Sequence, residues 1–404
     1  MSVRLALILG AALCLHTFCS LSDSEEPRCQ GAPPDRLSLA RNKTDFAFTL
    51  YKRLAAQSPG SNIIFSPISV SIALALQALG TGCHTNNEIL QGLKFKLTKN
   101  TDKIPQGFQR ILRNLSRTGT PLQLHVNTNL FLDQQLLLKK GYIQRFRRLY
   151  STSAVSTDFR NPAVAEKLIN DYVEQKIQRE IKKVFYSLNA KKKMVLVNSV
   201  LFKAKWKMPF DPDYNFISNF YVSPTRLVQV LGTSSEKKNI LYFWDEKYSL
   251  SIVQHPYMDG HVSMLLILPN NGAMPKLEAE LNMDMIYFWR NSTRPRQMTM
   301  YLPKFYISRT YKLEEVQPKL SMVKYFSQRA DFSVLTTAIN SRRQVVLKFL
   351  PDKGTEETLF RGNSNPPPGS LEIINFNRPF MLIVISEDTQ NILFLGKVEN
   401  PKEL

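Results

Sequence analysis

Four histidines beyond the first 30 residues, His84, His125, His255 and His261, are the side chains best suited to move a proton or hold a metal near neutral pH. His255 and His261 can meet across a turn, but no cysteine or carboxylate stands beside them at ligand spacing, so they read as surface or strand-end residues. Nucleophile motifs are missing too: there is no G-x-S-x-G elbow, H-E-x-x-H helix, phosphate loop or C-x-x-C. Gly80-Thr81-Gly82 comes nearest to a glycine-rich loop. It follows an apolar helix rather than a strand and lacks a third glycine, so it reads as a helix end. The chain is therefore not expected to be an enzyme, and neither a metal nor a cofactor is expected.

What chemistry remains is charge. Lysine and arginine number 53 against 33 acidic residues, a net +20 that attracts polyanions by counterion release and long-range steering. The densest clusters are Lys139, Lys140, Arg145, Arg147 and Arg148, and then Lys176, Arg179, Lys182 and Lys183 running on to Lys191-Lys192-Lys193. The plainer reading of each is a solvated face without a dedicated partner.

The first 22 residues decide which polyanion. Arg4, an apolar run from Leu5 to Leu15 and the small polar residues after it read as a secretory signal cleaved within residues 19–22. His16 and Thr17 stop the run well short of the ~20 apolar residues a membrane anchor needs, and no later stretch spans a bilayer. A secreted, extracellular protein meets sulfated glycans and anionic cell surfaces before nucleic acid. Secretion also makes Asn42, Asn114 and Asn291 N-glycosylation candidates that should face solvent. Cys29 and Cys83 remain in the mature chain, where they can bridge, pair with another molecule or stay free.

These clusters need a scaffold, and 404 residues with 43% hydrophobic content supply one large core. Residues 23–40 read as a loose tail with Glu25-Glu26-Pro27 and Pro33-Pro34. Beyond it, Ala47, Leu50, Tyr51 and Leu54 share a helical face, and Ser66-Pro67 combines a capping hydroxyl with a first-turn proline. The run Ile68 to Leu79 is apolar nearly all round and predicts a buried helix. Ala163 to Phe185 predicts another, with Leu168, Tyr172 and Ile177 on its apolar face. Strands are expected at Val195–Phe202, Val262–Leu268 and Val345–Leu350, and a hairpin at Phe380–Ile385 with Ile392–Val398. Helices mostly precede strands, which indicates an α+β domain.

Several motifs, in order, carry a family resemblance: NIIFSPIS from Asn62, Leu79-Gly80-Thr81, Asn198 in VLVNSVLFKAKW ending at Trp206, Lys353-Gly354-Thr355-Glu356, Phe376-Asn377-Arg378-Pro379-Phe380, and FLGKV from Phe394 with Asn400-Pro401. From about Arg41 onward the chain resembles the serpins, most closely the secreted α1-antitrypsin-like group. The resemblance implies a serpin domain over residues 41–404, with three β-sheets, about nine helices and an exposed reactive loop at about 354–375. In inhibitory members a serine protease cleaves this loop, and the freed hinge inserts as a new strand carrying the trapped acyl-enzyme. The resemblance places the hinge at Gly354, Thr355 and Glu356, the scissile bond at Pro368-Gly369, and the sheet-opening region at Ser66, Ser69, Asn198 and Trp206.

Physical chemistry then weighs against insertion. With Thr355 facing inward, the period-2 alternation of a strand turns Glu357, Leu359 and Arg361 inward as well. Glu357 and Arg361 lie roughly 13 Å apart along a strand, too far to pair directly, so each would be buried alone at a cost of several kcal/mol. Pro366-Pro367-Pro368 removes three backbone donors from a segment a protease must bind as an extended strand. The segment Leu335–Lys348 also lacks the histidine many members carry there and looks about four residues short.

Heparin-activated members bind along a basic helix matching about Thr101–Thr118, and Lys103, Arg110, Arg113 and Arg117 keep some charge there, but Asn114 places a sequon in that groove. A second family site matches Arg290, Arg294 and Arg296, again beside a sequon, Asn291. The expected protein is thus a secreted, glycosylated, monomeric, non-inhibitory serpin that binds a sulfated glycan, an anionic cell surface or a protein partner. The alternatives are a serine protease inhibitor with unusual bait, a hydrophobic hormone carrier, and a collagen chaperone. The last is disfavoured because Pro401-Lys402-Glu403-Leu404 lacks the Asp-Glu-Leu ending of a retention signal.

Overall fold

A computed structural model describes residues 5–6, 36–95, 103–115, 123–136, 138–150, 153–176, 188, 194–203, 206–208, 210, 215–258, 260–305, 330–335, 345–348, 350–351 and 372–403. After β1 (Leu5–Ala6), the first half is mainly helical: α1 (Arg36–Gln57), β2 (Ile63–Phe65), α2 (Pro67–Ala78), α3 (Cys83–Gly92), α4 (Lys103–Leu115), β3 (Gln123–Asp133), α5 (Lys140–Tyr150), β4 (Ser153–Thr157) and α6 (Pro162–Lys176). Strands dominate the second half. They are β5 (Met194–Lys203), β6 (Asn215–Ser223), β7 (Arg226–Asp245), β8 (Leu250–Pro256) and β9 (Val262–Pro269), and after α7 (Met274–Glu280) and α8 (Met283–Ser292) come β10 (Arg294–Pro303), β11 (Val345–Lys348), β12 (Leu350–Pro351), β13 (Glu372–Asn375), β14 (Phe380–Ser386) and β15 (Ile392–Val398). The architecture is α+β. Helix α1 begins at Arg36, five residues before the point at which the sequence reading starts the domain.

Local chemistry explains α2. Ser66 is extended and its hydroxyl accepts from the Ser69 amide, while Pro67 occupies the first helical position, where no amide donor is needed. Every residue from Pro67 to Ala78 is buried, as an all-round apolar helix requires. Its end is set by close approach: Gly82 donates to the Asp331 carbonyl, and a Cβ on Gly82 would collide with the Asp331 carboxylate at 1.9 Å.

Two layers of sheet surround this helical core. A four-stranded sheet runs β11-β5-β3-β4, and a nine-stranded sheet runs β13-β10-β7-β8-β9-β14-β15-β2 with β6 on β7. The 20-residue β7 pairs with β6 through its first part, with β10 through its middle and with β8 at its end, so it joins two sheet segments into one. Separately, β1 pairs with β12 over two residues; β1 lies in the stretch read as a cleaved leader.

On one side of the four-stranded sheet, Phe131, Val195 and Val197 pack under Ala165, Ile169 and Val173 of α6. These three α6 residues recur every four positions and are fully buried. The sequence reading placed Leu168, Tyr172 and Ile177 on this face. Leu168 and Tyr172 instead flank the buried stripe, because a straight i, i+4 row lies one position away, and Ile177 lies outside the described residues.

The C-terminal hairpin closes the molecule. β15 pairs with β2, and Gly396 allows it: a Cβ there would lie 2.6 Å from the Ile63 carbonyl oxygen. Asn62 adds a clamp, its amide donating to the carbonyls of Asn400 and Glu403 and its oxygen accepting from the amides of Glu399 and Asn400.

Candidate functional site

Residues 352–371 connect two strands on different sheets. On the approach side, β11 pairs in parallel with the first four residues of β5, Val345 opposite Met194 through Lys348 opposite Val197. β5 pairs antiparallel with β3 along its whole length, but among the described residues Asn198–Lys203 make no ladder with β11, and β1 lies against β5. A chain that reversed after β11 would run antiparallel to both β5 and β11, so this seam is where an added strand fits. Where β11 covers β5 the sheet is apolar on both faces: Met194 and Leu196 belong to the main core and Val195 and Val197 to the cluster under α6, all essentially inaccessible, while the side chains of Asn198–Lys203 lie outside the described residues.

The departure side is an edge. β13 pairs in parallel with β10 from Met298–Glu372 to Tyr301–Asn375. Only Ile374 of β13 is buried, while Glu372 is exposed and forms an ion pair with Arg296 at 3.2 Å. The Phe376-Asn377-Arg378-Pro379-Phe380 motif fixes the strand's end. The Phe376 amide donates to the Tyr301 carbonyl at 2.9 Å, and the two phenyl rings meet edge to face at 5.2 Å. Arg378 donates to the Pro269 carbonyl at 2.7 Å, and partial burial lowers its pKa from an ordinary value far above neutrality. The hinge residues Gly354, Thr355, Glu356, Glu357, Leu359 and Arg361 and the bond Pro368-Gly369 lie outside the described residues.

The four residues expected in a sheet-opening region divide into two groups. Ser66 and Ser69 are fully buried at the start of α2, which packs on β5. Asn198 stands opposite Thr128 in the β5–β3 ladder; its side chain is outside the described residues. Trp206 belongs to a different cluster beyond the end of β5. Its ring stacks on Tyr257 at 4.3 Å, tilts against His255 at 4.4 Å and meets Phe210 edge on at 6.4 Å.

His255 is a residue the sequence did not single out for this role. It sits at a strand end but is buried, and desolvation pushes its pKa down to about 4, partly opposed by a hydrogen bond with the Met208 backbone. His261, by contrast, is exposed and its Nδ1 lies 3.0 Å from Asp388. The signal that could have found His255 is its place in a period-2 apolar strand beside Trp206's partner Tyr257.

The basic residues gather on one part of the surface. Lys139, Lys140 and Arg148 are exposed and Arg145 and Arg147 half-exposed, on and just before α5. Arg110 and Arg113 are exposed on α4. The two helices touch through Gln109, whose amide donates to the Arg148 carbonyl at 2.6 Å, and Arg113 lies one turn on from Gln109 along the same face. Neither helix contains an acidic residue. Lys176 ends α6 with its side chain outside the described residues, and Arg179 and Lys183 lie outside them altogether.

Of the sequons, Asn291 is exposed in the last turn of α8; Asn42 lies in α1 and Asn114 in α4, their side chains outside the described residues. Cys83 is disulfide-bonded, and the other three cysteines precede residue 36. Among the described residues, no three His, Cys, Asp or Glu side chains gather as a metal site, and no helix is long and apolar enough to cross a membrane.

Comparison with known proteins fits this geometry. A family model described as Serpin (serine protease inhibitor) matches residues 41–401. Serpin A3-8 of Bos taurus is 41% identical over 413 residues, covering 100% of this chain and 99% of the relative. Alpha-1-antichymotrypsin of Homo sapiens is 39% identical over 413 residues, covering 98% of this chain and 97% of that one. The crystal structure of human thyroxine-binding globulin with its thyroid hormone superposes with a TM-score of 0.81 at 32% identity, covering 91% of this chain and 100% of the other.

Proposed function

The chain belongs to the serpin family, and from that premise we propose that it is a secreted, glycosylated, non-inhibitory member that binds a sulfated glycan or anionic cell surface. The observation that carries the binding reading is the acid-free helix α5, on and just before which Lys139, Lys140 and Arg148 are exposed and Arg145 and Arg147 half-exposed. Arg145, Arg147 and Arg148 supply guanidinium forks suited to sulfate oxygens. The β5 seam supports the non-inhibitory part. Beside β11 both faces of β5 are apolar, and a strand added along that side would bring Glu357 and Arg361 toward hydrocarbon.

The test is elution from immobilised heparin against salt, using the secreted full-length protein. Substituting Arg145, Arg147 and Arg148 with serine weakens binding by roughly tenfold or more at 0.15 M salt and flattens its salt dependence. Equal retention of the triple variant overturns the reading.

A second reading, a serine protease inhibitor, is favoured by relatives named as such, including alpha-1-antichymotrypsin. Incubation with trypsin-like, chymotrypsin-like and elastase-like proteases decides between the two. Non-inhibition predicts cleavage without a detergent-stable complex, and a stable complex with any of them establishes the second reading.

A further inference from the structure

α8 presents two aromatic rings to solvent. Its inward face is well used: Met285, Ile286 and Trp289 are buried, and the Trp289 indole donates to Asp245 at 2.6 Å. Tyr287 and Phe288 lie on the outer side with 59% and 54% of their surface accessible. Phe288 is not loose, since its ring meets Phe243 edge to face at 5.5 Å. Adjacent exposed aromatics that are held in place call for a cover.

The cover is encoded on the same helix. Asn291 follows Tyr287 by four residues and Phe288 by three, the spacings that place side chains side by side on one helical face. Asn291 is exposed and heads the sequon Asn291-Ser292-Thr293. Its backbone is fixed: the Asn291 carbonyl accepts from Arg294 at 2.6 Å, and the preceding Arg290 is bound to Glu387 and Gln390.

Resting on the reading of a secreted, glycosylated protein, we propose that Asn291 carries an N-linked oligosaccharide whose first sugars lie on Tyr287 and Phe288, so that the glycan completes the surface of α8. The donor is a lipid-pyrophosphate-linked oligosaccharide. The Asn291 Nδ2–sugar C1 bond forms, the C1–O bond to phosphate breaks, the lipid pyrophosphate leaves with the electron pair, and one amide proton is lost. The axial C–H groups of the first pyranose rings suit the electron-rich faces of the two aromatic rings. Timing follows from the same geometry. In the folded protein Thr293 is buried, with its hydroxyl within hydrogen-bonding distance of Gln254 and the Arg290 carbonyl, so transfer precedes closure of this region.

The proposal is tested with full-length protein secreted from a mammalian line, in an Asn42→Gln, Asn114→Gln background so that only one sequon remains. Glycopeptide mass measurement shows Asn291 occupied. Endoglycosidase trimming to a single N-acetylglucosamine raises dye-accessible hydrophobic surface part of the way, and Asn291→Gln raises it further and lowers Tm by roughly 1–2 °C. In a Tyr287→Ser, Phe288→Ser background the same Asn291→Gln change has no effect on either readout. An unoccupied Asn291, or an equal effect of Asn291→Gln with and without the two aromatics, overturns the proposal.

Discussion

The two ends of the loop are held alike and surrounded differently. β11 and β13 each form a four-residue parallel ladder, on β5 and β10 respectively. At the first, the partner residues Met194–Val197 are sealed between the main core and α6; at the second, Glu372 faces water and pairs with Arg296. The contrast shows that a strand's tolerance for charge is set by what covers the sheet, not by its hydrogen bonds. An edge accepts a carboxylate at little cost. A seam closed on both faces accepts only small or apolar side chains.

The largest effect expected from this contrast is a rescue. Loop cleavage of the natural chain between Glu356 and Ser370 leaves its thermal midpoint nearly unchanged. With Glu357→Ala and Arg361→Ala, the cleaved protein gains roughly 5 kcal/mol or more as the strand inserts, read as a large rise in Tm. A comparable rise in the natural chain removes the contrast altogether. Next in size, Val197→Asp puts a carboxylate in the seam wall and costs about 3–5 kcal/mol in urea unfolding.

His255, next to Trp206 beyond the end of β5, gives a pH-dependent version. Its folded pKa of about 4 lies below the ordinary 6.5, so between those values the unfolded chain binds the extra proton. Stability is therefore intact above pH 6.5 and falls as the pH drops toward 4, by up to roughly 3 kcal/mol. His255→Phe flattens that limb of a Tm-against-pH curve. At the departure edge, Glu372→Ala should cost less than about 1 kcal/mol, since both partners in that ion pair are half exposed. A larger loss there would show the edge to be more closed than its exposure indicates.

Elements whose chemistry is local were legible in the sequence. Ser66-Pro67 marks the start of α2 by capping, and the apolar runs at Val195, Val262 and Phe380 mark β5, β9 and β14. The face of α1 built from Ala47, Leu50, Tyr51 and Leu54 is buried as its spacing requires. What depends on distant partners was not legible. The bond from Gln109 to Arg148 crosses 39 residues and turns two ordinary basic helices into one surface. The burial of His255 arises from Trp206 folding over it, and the α6 stripe was misplaced by one position because several apolar residues compete for the same side. The loop residues were read from family resemblance and strand alternation alone, and they lie outside the described residues.

The Asn62 clamp sets a schedule for biosynthesis. About 330 residues separate Ile64 of β2 from its partner Gly396, an interval of roughly 20–70 s at ordinary rates of chain elongation. Throughout it, β2 lacks its ladder partner and α2 lacks the strand β15 that packs beside it. Until β15 is made, the buried helix α2 is incompletely covered, and the bond from Asn62 to Asn400 can form only as synthesis ends.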